Sequence, residues 1–247
     1  MDSQTLSAFG TDMSRRRFLA GLGVAGLTVA LAPLTACSSG SGSSAASSSS
    51  AQESAGASAD PTEGNPIVVD AAAGEVRYLA EVNAVYFTQG TRHGVVYQGG
   101  SNGEKAILRG LGDEKEFYQA LVDAGFTPGN NLTAEDMKAP AGQGKSVEGD
   151  KLDVTLKWDG QDEMPFVKAV SCTAGDYTPD FRFGGNLESA KKNNTGCVLC
   201  LDSCATGIVS DAHWPTGTTQ TGTAMFTGRE DVLPADGTRV VVTFRRA

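Results

Sequence analysis

From Ser38 to about Gly64 the chain is almost entirely Ser, Ala and Gly, with a few acids and one proline. Such a stretch cannot bury enough apolar surface to offset the entropy of ordering it. Folding is therefore confined to residues 65–247, a span of ordinary single-domain size. The low-complexity stretch reads as a flexible tether over residues 37–64, with a mean reach of about 30 Å.

What precedes the tether reads as an address. Ser14-Arg15-Arg16-Arg17-Phe18-Leu19 opens an uncharged run, Phe18 to Leu34, that contains three glycines. Its 17 residues fall short of the roughly 20 that a spanning helix needs. A charged start, a short apolar stretch and small residues at the end describe a removable export signal over residues 1–36. Arg15, Arg16 and Arg17 resemble the twin-arginine signal, a route that carries proteins already folded. Leu34-Thr35-Ala36-Cys37 resembles a lipoprotein processing site. Acylation at Cys37, at about 0.8 kcal/mol per buried CH₂, would tie the domain to the outer, extracytoplasmic face of a membrane.

Beyond Cys37 the chain carries 17 basic and 27 acidic side chains. That surplus argues against nucleic acid and anionic lipid surfaces as partners.

The domain reads as α+β, mainly antiparallel sheet or sandwich, with one clear helix over about 113–124 and a cysteine-rich loop. Val76, Tyr78, Ala80 and Val82 alternate along one strand, and Leu152, Val154, Leu156 and Trp158 along another. Further strands are expected at Ile67–Val69, Val95–Tyr97, Ala106–Leu108, Phe166–Val170 and Arg239–Phe244. Asp113 caps the helix with Glu116 three residues on, and Gly125 ends it. Phe117, Ala120, Leu121 and Ala124 form its buried face. Gly99-Gly100-Ser101-Asn102-Gly103 reads as a hairpin turn, lacking the Lys-Ser/Thr of a phosphate-binding loop.

The chemistry concentrates in the cysteines. Cys197, Cys200 and Cys204 follow one another at x2 and x3 spacing, and Cys172 lies 25 residues upstream. The string resembles the last three ligands of the ferredoxin run C-x2-C-x2-C-x3-C-P. Asn194 stands where the first ligand belongs and Ala205 where the proline belongs, so a single 4Fe-4S cluster would need Cys172 as its fourth ligand. Val198, Leu199 and Leu201 would then keep water from it. A Cys₄ zinc site uses the same residues. Disulfides, with no cofactor, are the structural alternative for an even set of exported cysteines. The functional readings are thus an electron-transfer protein with an envelope redox partner, or a non-catalytic module stapled by disulfides.

Pro66-Ile67-Val68-Val69-Asp70, the His93 strand, Ala124–Gly129, Phe183-Gly184-Gly185 and the Gly196–Ser210 string together resemble the YdjY-domain family. The resemblance implies an exported, often lipid-anchored domain labelled ferredoxin-like, and names no reaction. His93 and His213 could each replace a cysteine as ligand, although a structural or surface role is the plainer reading of two unpaired histidines. Asp176 with Asp180, and Asp159, Asp162 and Glu163, lack the order of a calcium loop and read as solvated turns. Gly99-Gly100-Ser101-Asn102-Gly103 spells Gly-x-Ser-x-Gly, but a turn between two strands is not the strand-to-helix elbow that hydrolase chemistry needs.

Overall fold

A computed structural model describes residues 59–247; the export signal, Arg15–Arg17, Cys37 and most of the tether lie outside them. The strands are β1 (Ile67–Asp70), β2 (Glu75–Val82), β3 (His93–Tyr97), β4 (Ala106–Gly110), β5 (Leu152–Trp158) and β6 (Gln161–Pro165). They continue with β7 (Val170–Cys172), β8 (Phe181–Phe183), β9 (Cys197–Cys200), β10 (Val209–Asp211), β11 (Phe226–Gly228) and β12 (Arg239–Arg246). Helices α1 (Glu114–Asp123) and α2 (Leu187–Asn193) complete the fold. The domain is α+β, as its pattern implied.

Nine strands form one mixed sheet in the order β6-β5-β12-β2-β4-β3-β9-β10-β8, and β1 pairs off this path with β2. All pairings in it are antiparallel except β3 with β4 and β9 with β10. The sheet curls until its ends approach, with Lys151 bridging to Arg182 and the Phe183 amide donating to the Asp150 carbonyl at 2.9 Å. Strands β7 and β11 form a separate antiparallel ribbon.

Alternation accounts for most of the long strands. Leu152, Val154 and Leu156 are buried while Asp153 and Lys157 between and after them are exposed, the signature of a strand with one face on the core. β12, the longest partner, lies between β2 and β5 and buries Val240, Val242 and Phe244. Helix α1 starts where Asp113 accepts the Lys115 amide at 2.7 Å. It ends in a Schellman arrangement: Phe126 N–H donates to the Leu121 carbonyl, Gly125 N–H donates to Val122, and Gly125 sits at φ +86°. Its Phe117 ring meets Tyr78 edge-on at 5.4 Å and Phe244 at 4.7 Å, worth about 1 kcal/mol per pair beyond area burial.

Four expectations change. Phe166–Ala169 is a 3-10 turn rather than strand, with Phe166 and Ala169 both buried three residues apart, and the strand begins only at Val170. Gly99–Gly103 is not a hairpin, because β3 and β4 run parallel and the segment must carry the chain back along β3. Helix α2 was not foreseen: seven residues, flanked by Asn186 and Asn194 in left-handed conformation, offer no capping side chain to read. Residues 60–64, assigned to the tether, already contact the domain: Asp60 pairs with Arg77 and Glu63 with Arg239. Among the described residues no helix is long and apolar enough to cross a membrane.

Phe117 is fully buried between two strands and two rings. Phe117→Ala should therefore cost about 3–5 kcal/mol, read as a lowered urea midpoint at unchanged slope.

Candidate metal centre

The cysteines lie mainly on a strand, not in a loop. Cys197 and Cys200 are the first and last residues of β9, and only Cys204 stands in the connection to β10. In a regular strand, residues three apart face opposite ways. Here the pairing runs Val96 with Cys197, Val95 with Leu199 and His93 with Cys200, so β9 bulges at Val198 and β3 carries Gly94 as its own extra residue. The bulge sends Val198 and Leu199 into the main core and returns Cys200 to the face of Cys197. That face also carries His93.

The resulting distances are short. His93 Nδ1 lies 3.7 Å from Cys197 Sγ and 3.9 Å from Cys200 Sγ, and the three ligand atoms all fall within 4.8 Å of one another. Cys204 Sγ lies outside that group of three, but it is near enough to Cys200 for each thiol to shift the other's proton affinity. Hydrogen bonding from Cys200, joined by His93, holds Cys197 well below the ordinary thiol range against the effect of burial. Cys204 is lowered by its bond with Cys200 and by the Arg92 charge, again against burial. Cys200, between two incipient thiolates, is raised.

The surroundings are built to hold this group. Glycine is required where the turn before β9 crosses the β3–β4 return: a Cβ on Gly100 would stand 2.5 Å from Gly196 Cα. Gly196 itself sits at φ +78° and donates its amide to the buried Glu114 carboxylate at the start of α1. Gly207 leaves the room that its Cβ would take 3.0 Å from Cys200 Sγ and 2.7 Å from Ser210 Oγ. The Ser210 hydroxyl is buried without a partner, the Thr195 hydroxyl adds to the lowering of the Cys197 thiol, and Asn102 Nδ2 points at Cys197 Sγ from 3.9 Å. Thr206 Oγ1 lies 3.3 Å from Cys204 Sγ. The thiols are covered by Val96, Ala106 and Met137, not by Val198, Leu199 and Leu201, which face the main core.

Asp202, inside the C-x3-C segment, is fully buried. Its Oδ1 accepts from Arg92 Nε at 2.8 Å, and its Oδ2 accepts from the Thr219 amide and hydroxyl at 3.2 and 2.8 Å. Burial alone would lower the Arg92 pKa, but Cys204, Asp202 and Cys200 outweigh it and keep the guanidinium charged. One largely buried cation thus faces the lowered Cys204 thiol, the raised Cys200 thiol and one carboxylate.

Of the four cysteines proposed as ligands, Cys172 is not part of this group. It ends β7, paired with Phe226 of β11, and packs against the main core. All four are free thiols in the structure. Strand β10 separates the two environments: Ser210 turns toward Cys200, while Asp211 faces Tyr177 and Cys172. His93, read as structural from the sequence, is instead the residue nearest two thiols. His213 stacks with Tyr177 and Trp214 at 5.0 and 4.7 Å and belongs to the aromatic cluster. Arg92, Asp202 and Met137 carried no local signal; Arg92 and Asp202 lie 110 residues apart and meet only through the β3–β9 pairing.

Asp211 is buried, and burial raises its carboxyl to about 6, against two backbone amides, Asp180 and His213, that donate to Oδ1 at 2.9 Å. Its Oδ2 has no partner. A raised folded pKa means that this group's contribution is full below about 3.8 and is lost as pH rises through about 6. Asp211→Asn keeps the Oδ1 acceptor. Relative to the parent, the variant should gain on the order of 2–3 kcal/mol between pH 4 and pH 7, measured by urea unfolding across that range. A constant difference would contradict the assignment.

The YdjY domain model matches residues 67–245. The Escherichia coli (strain K12) protein YdjY is 40% identical over 183 residues, covering 74% of this chain and 79% of that protein. No solved structure matches. With the match spanning the whole sheet and the cysteine–histidine group, the chain belongs to the YdjY domain family.

Proposed function

We propose that this is a lipid-anchored extracytoplasmic metalloprotein that holds one transition-metal ion on Cys197, Cys200, Cys204 and His93 and exchanges electrons with a partner in the cell envelope. The observation that carries the reading is the spacing of His93 Nδ1 and the two thiol sulfurs, 3.7 and 3.9 Å. A tetrahedral ion with bonds of about 2.0–2.3 Å sets its ligand atoms about 3.5–3.8 Å apart. A four-iron cluster interposes a cage between its thiolates and needs four well-separated ligands, and Cys172 stands elsewhere. The donor set favours the single ion.

Thiolate-rich donors suit iron and zinc. Three thiolates and a neutral imidazole around a divalent ion leave one negative charge, and Arg92 stands beside Cys204 and Cys200 to balance it. With Cys204 drawn in beside the three close ligand atoms, the ion would have no open position for substrate, which fits electron exchange better than Lewis-acid catalysis. His93 is the one ligand that is not fully buried, so its ring is the short path outward. Met137, Val96 and Ala106 exclude water from the sulfurs and so bear on the potential. Zinc on the same donors would make the centre structural, since closed four-ligand zinc sites stabilise folds.

Protein made under anaerobic conditions should carry about one metal ion per chain, with the colour and EPR signal of a thiolate-bound iron and no acid-labile sulfide. His93→Ala and Cys200→Ser should each lower the metal content at least about tenfold. Metal-free protein with a disulfide among Cys197, Cys200 and Cys204 would instead support the stapled binding module.

The anchor rests on Arg15–Arg17 and Cys37. Cys37→Ala should move the protein from the membrane to the soluble fraction, and replacing Arg15 and Arg16 by Lys should block export. Unchanged fractionation of both variants would refute the address.

A further inference from the structure

A cavity of about 310 Å³ opens to solvent directly over His93. Arg92 and His93, at the start of β3, line it together with Lys105, Gln220 and Met225. No carboxylate lines it, on a chain whose net charge is −9. Its solvent-facing lining therefore presents two cations and no carboxylate, with the Arg92 charge shared with Asp202 and the thiols behind it.

The donors are fixed in place. Arg92 spends Nε on Asp202 and Nη2 on the Ser203 carbonyl, and its Nη1 has no partner among the described residues. Asp202 is enclosed, and both of its oxygens are taken by Arg92 and Thr219, so it offers the cavity no negative face. The same carboxylate, by holding Thr219, positions Gln220 at the rim. Lys105 uses one ammonium proton on Asn102 Oδ1 at 3.0 Å, leaving two donors.

We propose that this cavity is a binding site for a small oxyanion, held by the Arg92 guanidinium and the Lys105 ammonium with the Gln220 amide at the rim, in contact with the outer edge of His93. A planar guanidinium and a point ammonium are the pair that oxyanion recognition uses. At about 310 Å³ the cavity stands at the small end of ligand sites and has room for a small oxyanion together with bound water. Bound there, the anion would touch the one residue of the cysteine–histidine group that reaches solvent. The site stands on its own geometry and does not require the metal.

Inorganic phosphate titrated into the full chain at low ionic strength, followed by calorimetry and by the amide resonances of Thr91, His93 and Gln220, tests this directly. Saturable binding with shifts centred on those residues is expected, and tetramethylammonium chloride should produce none. Lys105→Gln should weaken binding roughly fivefold and Gln220→Glu, which places a carboxylate on the rim, at least roughly tenfold. Both positions are away from the core, so the melting temperature should hold. Phosphate binding that is absent, or that neither substitution alters, would overturn the inference. Metal content measured on the same samples separates the two proposals. Metal-loaded protein without phosphate binding refutes only the anion site, and metal-free protein that binds phosphate refutes only the metal centre.

Discussion

The pairing of β3 with β9, and the bulge within it, is the constraint on which the site depends. Without the extra residue at Val198, the x2 spacing of Cys197 and Cys200 would send one thiol into the core and the other away from it. With it, and with Gly94 extra on the facing strand, both meet His93 across the ladder. The bulge also explains why Val198 and Leu199, adjacent in sequence, both enter the main core. Two neighbouring turns hold the register: Gly196 lies against Gly100, and its amide is bonded to Glu114 at the start of α1. A helix, a parallel strand pair and the cysteine strand are thereby fastened at one point.

Charge is the second constraint. Burying lowered thiols costs free energy unless a cation accompanies them. Arg92 supplies it, and Asp202 fixes the guanidinium in position while linking the cysteine segment to Thr219. One carboxylate thus ties the inside of the group to the rim of the cavity above it. Removing either partner would leave a buried charge uncompensated, which is more damaging than the loss of a single hydrogen bond.

Much of the scaffold was readable because its signals are local. Alternation marked β2 and β5, and Asp113, Phe117 and Gly125 marked a helix with both ends. Phe166–Ala169 misled because a short apolar run suits a buried turn as well as a strand. The direction of β4 was hidden, since a Gly-rich turn says that the chain reverses but not where it next pairs. For the site, Cys197, Cys200 and Cys204 announced themselves by spacing. His93 and Arg92 did not, because their relation to the cysteines exists only through non-local pairing. Cys172 misled in the opposite direction: proximity in sequence suggested a fourth ligand, while the alternating faces of β10 place it on the other side of the strand.

The central claim is a single ion on three sulfurs and one imidazole nitrogen. X-ray absorption at the metal edge of the full chain, isolated anaerobically, tests it most directly. One shell of about three sulfurs near 2.3 Å and one nitrogen near 2.0–2.1 Å is expected, with no metal–metal scattering. A metal–metal distance would mean a cluster, and a shell lacking the nitrogen would remove His93; either result would contradict the account.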